Sequence, residues 1–218
     1  MSWHYPGRQI RLIFVETTRR TLLRLLTVGG AAAALPATVG AAQPDIVMII
    51  RHGEKPPDSG KPYGVTADGT KDNSSLIIQG WQRAGALAGF FSSGANVRVP
   101  DAIYAVDNSG GKHLRMAQTV TPLSGKLGIS LNTSYAEGNE AGLAAEVAQR
   151  TGTTLICWEH SAIPDIVSNL GPVTPTPPSA WADSRFDMVW VFTRSGDGWA
   201  FSQVPQLLLA GDSSSPLS

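Results

Sequence analysis

An α/β fold of three layers, α/β/α around a mostly parallel central sheet with an antiparallel C-terminal edge, is predicted from three features of this 218-residue chain. The first is Ile46-Val-Met-Ile-Ile50, an uncharged and mostly β-branched run between Pro44 and Gly53. It reads as a short strand buried on both faces, the kind found inside a parallel sheet. The second is the recurrence along the chain of apolar strand, polar turn and amphipathic helix. The third is the pair of apolar runs flanking Arg194-Ser-Gly-Asp-Gly198 near the end, a hairpin signal.

Residues 1–42 are expected to lie outside this fold. Thr18-Arg19-Arg20-Thr21-Leu22-Leu23-Arg24 followed by an uncharged Ala/Gly/Leu stretch to Ala42 fits a twin-arginine export signal, with small residues ahead of Gln43 for cleavage. Its 18-residue apolar part is Gly- and Ala-rich and interrupted by Pro36, which argues against a membrane-anchoring helix. The signal holds five of the 17 basic and one of the 17 acidic residues, leaving 12 against 16 in residues 43–218. A mildly acidic domain disfavours nucleic acid as a partner, so any phosphate site must be a local cluster of cations. The single cysteine, Cys157, has no internal disulfide partner and is read as strand packing.

Glu54 to Ser75 is a long Pro/Gly loop, read as a wall of a pocket, with Lys55 and Lys61 as candidate contacts. Leu76 to Phe91 carries apolar residues at helical spacing, with Ser74 or Ser75 to cap it and Arg83 on its exposed face. A strand over Ala102–Val106 then leads through Asp107-Asn-Ser-Gly-Gly111 into a helix over 112–127, where Arg115 near the start would join backbone N–H groups in binding an anion. His113, two positions away, points elsewhere on a helix and is read as a surface residue. A short strand follows Ile129, then a helix over Gly142–Thr151. A buried strand over Thr153–Trp158 ends in Glu159-His160, and a helix spans Ile163–Leu170. The proline-rich run from Gly171 to Ala182 reads as an extended loop, and the tail from Gly211 as loose. Trp181, Trp190 and Trp199 read as packing.

Arg51-His52-Gly53 after an Ile/Val run, Leu114-Arg115-Met116-Ala117-Gln118-Thr119 after a strand and turn, and Glu159-His160 at a strand tip together resemble the motifs of the histidine phosphatase superfamily, the phosphoglycerate mutase-like fold. That resemblance implies a phosphatase acting on a small phosphomonoester, with His52 taking the phosphoryl group covalently and Arg51, Arg115 and His160 holding its oxygens. It implies no metal or other cofactor. Glu137 falls where the family often keeps its proton donor, with Glu140 and Glu159 as rivals. A mutase-type phosphotransferase and a phosphate-ester binding protein are the alternatives. Joined to the export signal, the expectation is a periplasmic or secreted enzyme.

Overall fold

The computed structural model describes residues 44–218; the expected export signal lies outside them. The elements run β1 (Ile46–Arg51), α1 (Ile78–Ser93), β2 (Ala102–Val106), α2 (Leu114–Leu127), β3 (Leu131–Tyr135), α3 (Glu140–Ala148), β4 (Thr153–Trp158), α4 (Ile163–Asn169), β5 (Val173–Thr174), β6 (Met188–Ser195) and β7 (Gly198–Pro205). They build one seven-stranded sheet in the order β3-β2-β4-β1-β6-β7-β5. β1, β2, β3 and β4 are mutually parallel, while β6 runs against both of its neighbours, β1 and β7.

The path of the chain explains where ligands can enter. From β1 to β2 and on to β3 the crossovers step one way, and from β3 to β4 they step back. Right-handed crossovers therefore place α1 and α2 on one face and α3 on the other; α1 packs on α2, and α3 on α4. The connections leaving β1 and β4, adjacent strands, thus diverge to opposite faces. That divergence opens a crevice at their carboxyl ends, where open α/β sheets bind ligands.

β1 and β4 are buried almost along their whole length, and Met48, Ile49, Ile50, Leu155, Ile156, Cys157 and Trp158 are fully enclosed. Cys157 and the three tryptophans Trp181, Trp190 and Trp199 are core residues, as their surroundings in the sequence suggest. No helix among the described residues is long and apolar enough to cross a membrane.

Four details depart from the sequence reading. The antiparallel part is the β6–β7 hairpin, but the outer edge belongs to β5, two residues from the proline-rich run that pair with Trp199 and Ala200 of β7. α1 begins at Ile78 without a side-chain cap from Ser74 or Ser75. The N–H groups of Leu76 and Ile77 donate instead to Gln118 Oε1 (2.9 Å) and the Glu54 carbonyl (3.1 Å), so these two residues anchor the long loop rather than start the helix.

Arg83 is buried, not exposed. Its guanidinium donates to Glu54 Oε1 (2.8 Å), Asp212 Oδ1 (2.7 Å) and Gln206 Oε1 (2.9 Å). The tail from Gly211 is the reason, because it folds across that face of α1 instead of hanging free. Asp212 meets Arg83, the Ser213 N–H donates to Asp187 Oδ2 (2.6 Å), and the Leu217 N–H donates to Gln203 Oε1 (2.9 Å).

Candidate active site

The tips of β1 and β4 bring three titratable side chains together. Arg51 is paired with Trp158 in the parallel register, so the next residues, His52 and Glu159, leave their strands side by side. His52 Nε2 lies 3.2 Å from Glu159 Oε2. The other oxygen of Glu159 touches His160 Nδ1, and His160 Nε2 lies 2.6 Å from Asp183 Oδ1. Asp183 was not foreseen, since nothing in the proline-rich run before it marks a site.

The tautomer of His52 is set locally. Its Nδ1 is 2.7 Å from the carbonyl of Gly53, which can only accept, so Nδ1 carries a proton and Nε2 is the nitrogen turned into the crevice. Burial lowers the pKa of this ring, with the hydrogen bond and charge of Glu159 and the Gly53 carbonyl pulling the other way. Nε2 is therefore the nitrogen left unprotonated at neutral pH. Burial raises the Glu159 carboxyl, but contact with His52 and His160 outweighs it and brings the group down to about 2. Glu159 is an anion resting against the ring face that a phosphate would need.

Two guanidiniums surround this pair. Arg51, 1% exposed, turns Nη1 to the carbonyls of Ala182 (3.3 Å), Asp183 (2.5 Å) and Arg185 (3.3 Å), and stacks 3.9 Å from the ring centroid of Phe186. Its Nε and Nη2 are buried without a hydrogen-bond partner. Burial lowers its pKa to about 10, against the pull of Glu159, Asp183 and Glu54, and it remains a cation at neutral pH. A buried cation with two idle donors is costly unless an anion completes it.

Arg115 stands in the first turn of α2. It donates Nη2 to the Asn73 carbonyl (2.8 Å), leaving a buried Nε unpartnered. With Glu159, Ser74, Lys112, His113 and Met116 it lines a cavity of about 250 Å³. Lys55 and Lys61 are not among the lining residues.

Thr119 couples α2 to the histidine loop. Its hydroxyl oxygen accepts from the Gly53 N–H (2.8 Å) while its O–H donates to the Arg115 carbonyl (2.7 Å), so one side chain sets the distance between His52 and Arg115. Gly80 of α1 closes in from the same side, where a Cβ would stand 2.5 Å from the Glu54 carbonyl oxygen. Thr119→Val keeps the shape and strands a buried N–H. It is expected to cost about 1–3 kcal/mol, read as a lowered denaturant midpoint at unchanged slope.

His113 and Glu137 stand beside the cavity, His113 as an exposed residue in keeping with its sequence reading. His113 adopts a left-handed backbone (φ 53°) as the cap of α2, which turns it to the cavity wall. Glu137 Oε2 pairs with His113 Nδ1 at 3.0 Å, so it stands one residue removed from the cavity. Glu140 is buried and accepts from the Trp158 indole N–H (2.9 Å), a structural bond.

No family model matches this chain, and no curated protein matches it in sequence. Among solved structures it is similar to the ecdysone phosphate phosphatase of Bombix mori in complex with tungstate, at 13% identity over 80% of this chain and 97% of that one, TM-score 0.47. It is similar to a phosphoglycerate mutase from Plasmodium falciparum, at 12% identity over 81% and 96%, TM-score 0.47, and to a mycobacterial hydrolase, at 10% over 81% and 94%, TM-score 0.44. At such identities the chemistry has to be read from the site's own atoms.

Proposed function

We propose that this chain is an exported phosphatase that hydrolyses a small phosphomonoester through a phosphohistidine on His52, acting in the periplasm or outside the cell. The observation that carries this reading is the pairing of a tautomer-fixed imidazole with idle guanidinium donors. Nε2 of His52 faces the crevice because Nδ1 is held by Gly53, and the Nε and Nη2 of Arg51 and the Nε of Arg115 await acceptors. A phosphoryl group supplies those acceptors and places phosphorus in line with Nε2.

Substrate entry displaces the Glu159 carboxylate from the ring. With the ring's proton held on Nδ1 by the Gly53 carbonyl, that displacement exposes the Nε2 lone pair for attack. Nε2 then bonds to phosphorus as the ester P–O bond breaks, and Glu159, which takes up the proton of the monoanionic ester as that anion enters beside it, passes the proton to the departing alkoxide. Water attacks the phosphohistidine, Glu159 takes a proton from it, the P–N bond breaks, and phosphate leaves. His160, held by Asp183, keeps Glu159 oriented. Direct contact with the ring favours Glu159 over Glu137 as the acid, because Glu137 is engaged by His113.

The assignment has a discriminating test. Glu159→Gln is expected to lower kcat on alkyl phosphates by about 10²–10⁴-fold, and far less on aryl phosphates whose leaving groups need no proton. Glu137→Gln is expected to stay near the parent on both. The reverse pattern would return the role to Glu137. The phosphatase reading itself is tested by release of phosphate from an aryl ester in a chelator. Phosphate affinity without turnover would mark the protein as a binding module.

A further inference from the structure

We infer that His52, Glu159 and His160 also form a binding site for a divalent transition ion of the zinc type, one that competes with the phosphate ester for the crevice. One ligand atom from each of the three lies within 4.8 Å of the other two. Tetrahedral coordination at about 2.0–2.1 Å sets neighbouring ligand atoms about 3.4 Å apart, and His52 Nε2 already lies 3.2 Å from Glu159 Oε2. Two imidazoles and one carboxylate, with further positions open to water, is a donor set zinc accepts.

The second observation lies behind the ligands. Each histidine has its rear nitrogen engaged by an acceptor, His52 Nδ1 by the Gly53 carbonyl at 2.7 Å and His160 Nε2 by the Asp183 carboxylate at 2.6 Å. Metal-ligating histidines carry such partners, which fix the ring and leave the other nitrogen bare toward the ion. Here both bare nitrogens turn toward the same carboxylate. Arg51 and Arg115 already offset the charges of Glu159 and Asp183, so the ion would be held by its donor atoms and not by a net negative charge. The spacing His52, Glu159, His160 conceals this in the sequence, because the site exists only once β1 and β4 lie side by side.

This site does not rest on the phosphatase reading, so its test avoids substrate. Full-length, metal-stripped protein is titrated with zinc against a chromophoric chelator, and with cobalt(II) followed by visible absorption. The expected result is one ion per chain, with visible cobalt bands of a low-coordinate nitrogen/oxygen site. Binding is expected to weaken at least tenfold in His160→Ala and about 10–100-fold in Asp183→Ala, which removes only the rear partner. Added inorganic phosphate is expected to weaken it as well. Absence of stoichiometric binding by the parent overturns the site regardless of how the variants fold. Undiminished affinity in a His160→Ala protein with the parent's melting curve overturns it too. Loss of ester hydrolysis in His52→Ala with zinc binding absent from the parent would leave the enzyme and remove the metal.

Discussion

His52→Ala is expected to lose about 10⁴-fold or more in kcat on any phosphomonoester the parent hydrolyses, while still binding inorganic phosphate. The size of the loss follows from what the residue supplies. Without the ring, water must attack phosphorus directly, and Glu159 loses the nitrogen against which it is held. Binding survives because the anion's donors belong to Arg51 and Arg115, whose idle nitrogens are unaffected by the substitution. The expected signature is therefore a collapse of kcat at a nearly unchanged phosphate Kd. A variant that hydrolyses the ester as fast as the parent would remove the covalent route.

Arg83→Ala is expected to be the most destabilising single change outside the apolar core. Arg83 is 2% exposed and its guanidinium joins Glu54, on the loop leaving His52, to Asp212 of the tail and Gln206. Truncation leaves two enclosed carboxylates without their cation. Breaking such a buried pair by removing one partner costs about 3–5 kcal/mol, or about 10 °C in the melting temperature of a domain this size. The variant's deficit should also depend on pH in a defined sense. Burial raises the Asp212 carboxyl, but hydrogen bonds from Arg83 and from backbone N–H groups outweigh it and hold it below its ordinary range. That stabilisation is present above the unfolded pKa, about 3.9, and is lost as pH falls through the lower folded value. Without Arg83 that contribution is absent at every pH, so the stability gap between parent and variant is expected to narrow as pH falls below about 4. A melting curve equal to the parent's would show that the tail is not held through Arg83.

How far the sequence could disclose this arrangement depended on whether a feature was local. β1 and β4 were legible because a strand buried on both faces is written as a continuous apolar run, and their tips carried Arg51-His52 and Glu159-His160 into the crevice. Arg115 was singled out because a strand, a polar turn and then Arg with Thr four residues on resembles a motif of the histidine phosphatase superfamily, and the residue stands in the first turn of α2 against the cavity. Arg83 was not, because its burial is imposed by Asp212, 129 residues away, and helical periodicity says nothing about a tail that later covers the polar face. β5 was hidden for a similar reason, since its two residues owe their pairing to β7 and not to any pattern of their own. Asp183 and Phe186 escaped notice because they act through Arg51 and His160 from a loop between a proline-rich run and β6. The sequence left Glu137, Glu140 and Glu159 as equals because the contact that favours Glu159 in our proposal joins two strand tips.

The most direct measurement is a rapid quench of the parent with a ³²P-labelled ester, followed by alkaline denaturation and mapping of the bound label. The expected result is an alkali-stable, acid-labile phosphoryl group on the peptide containing His52, formed at least as fast as turnover and absent from His52→Ala. Turnover with no label retained on the protein, or label on any other residue, would contradict it.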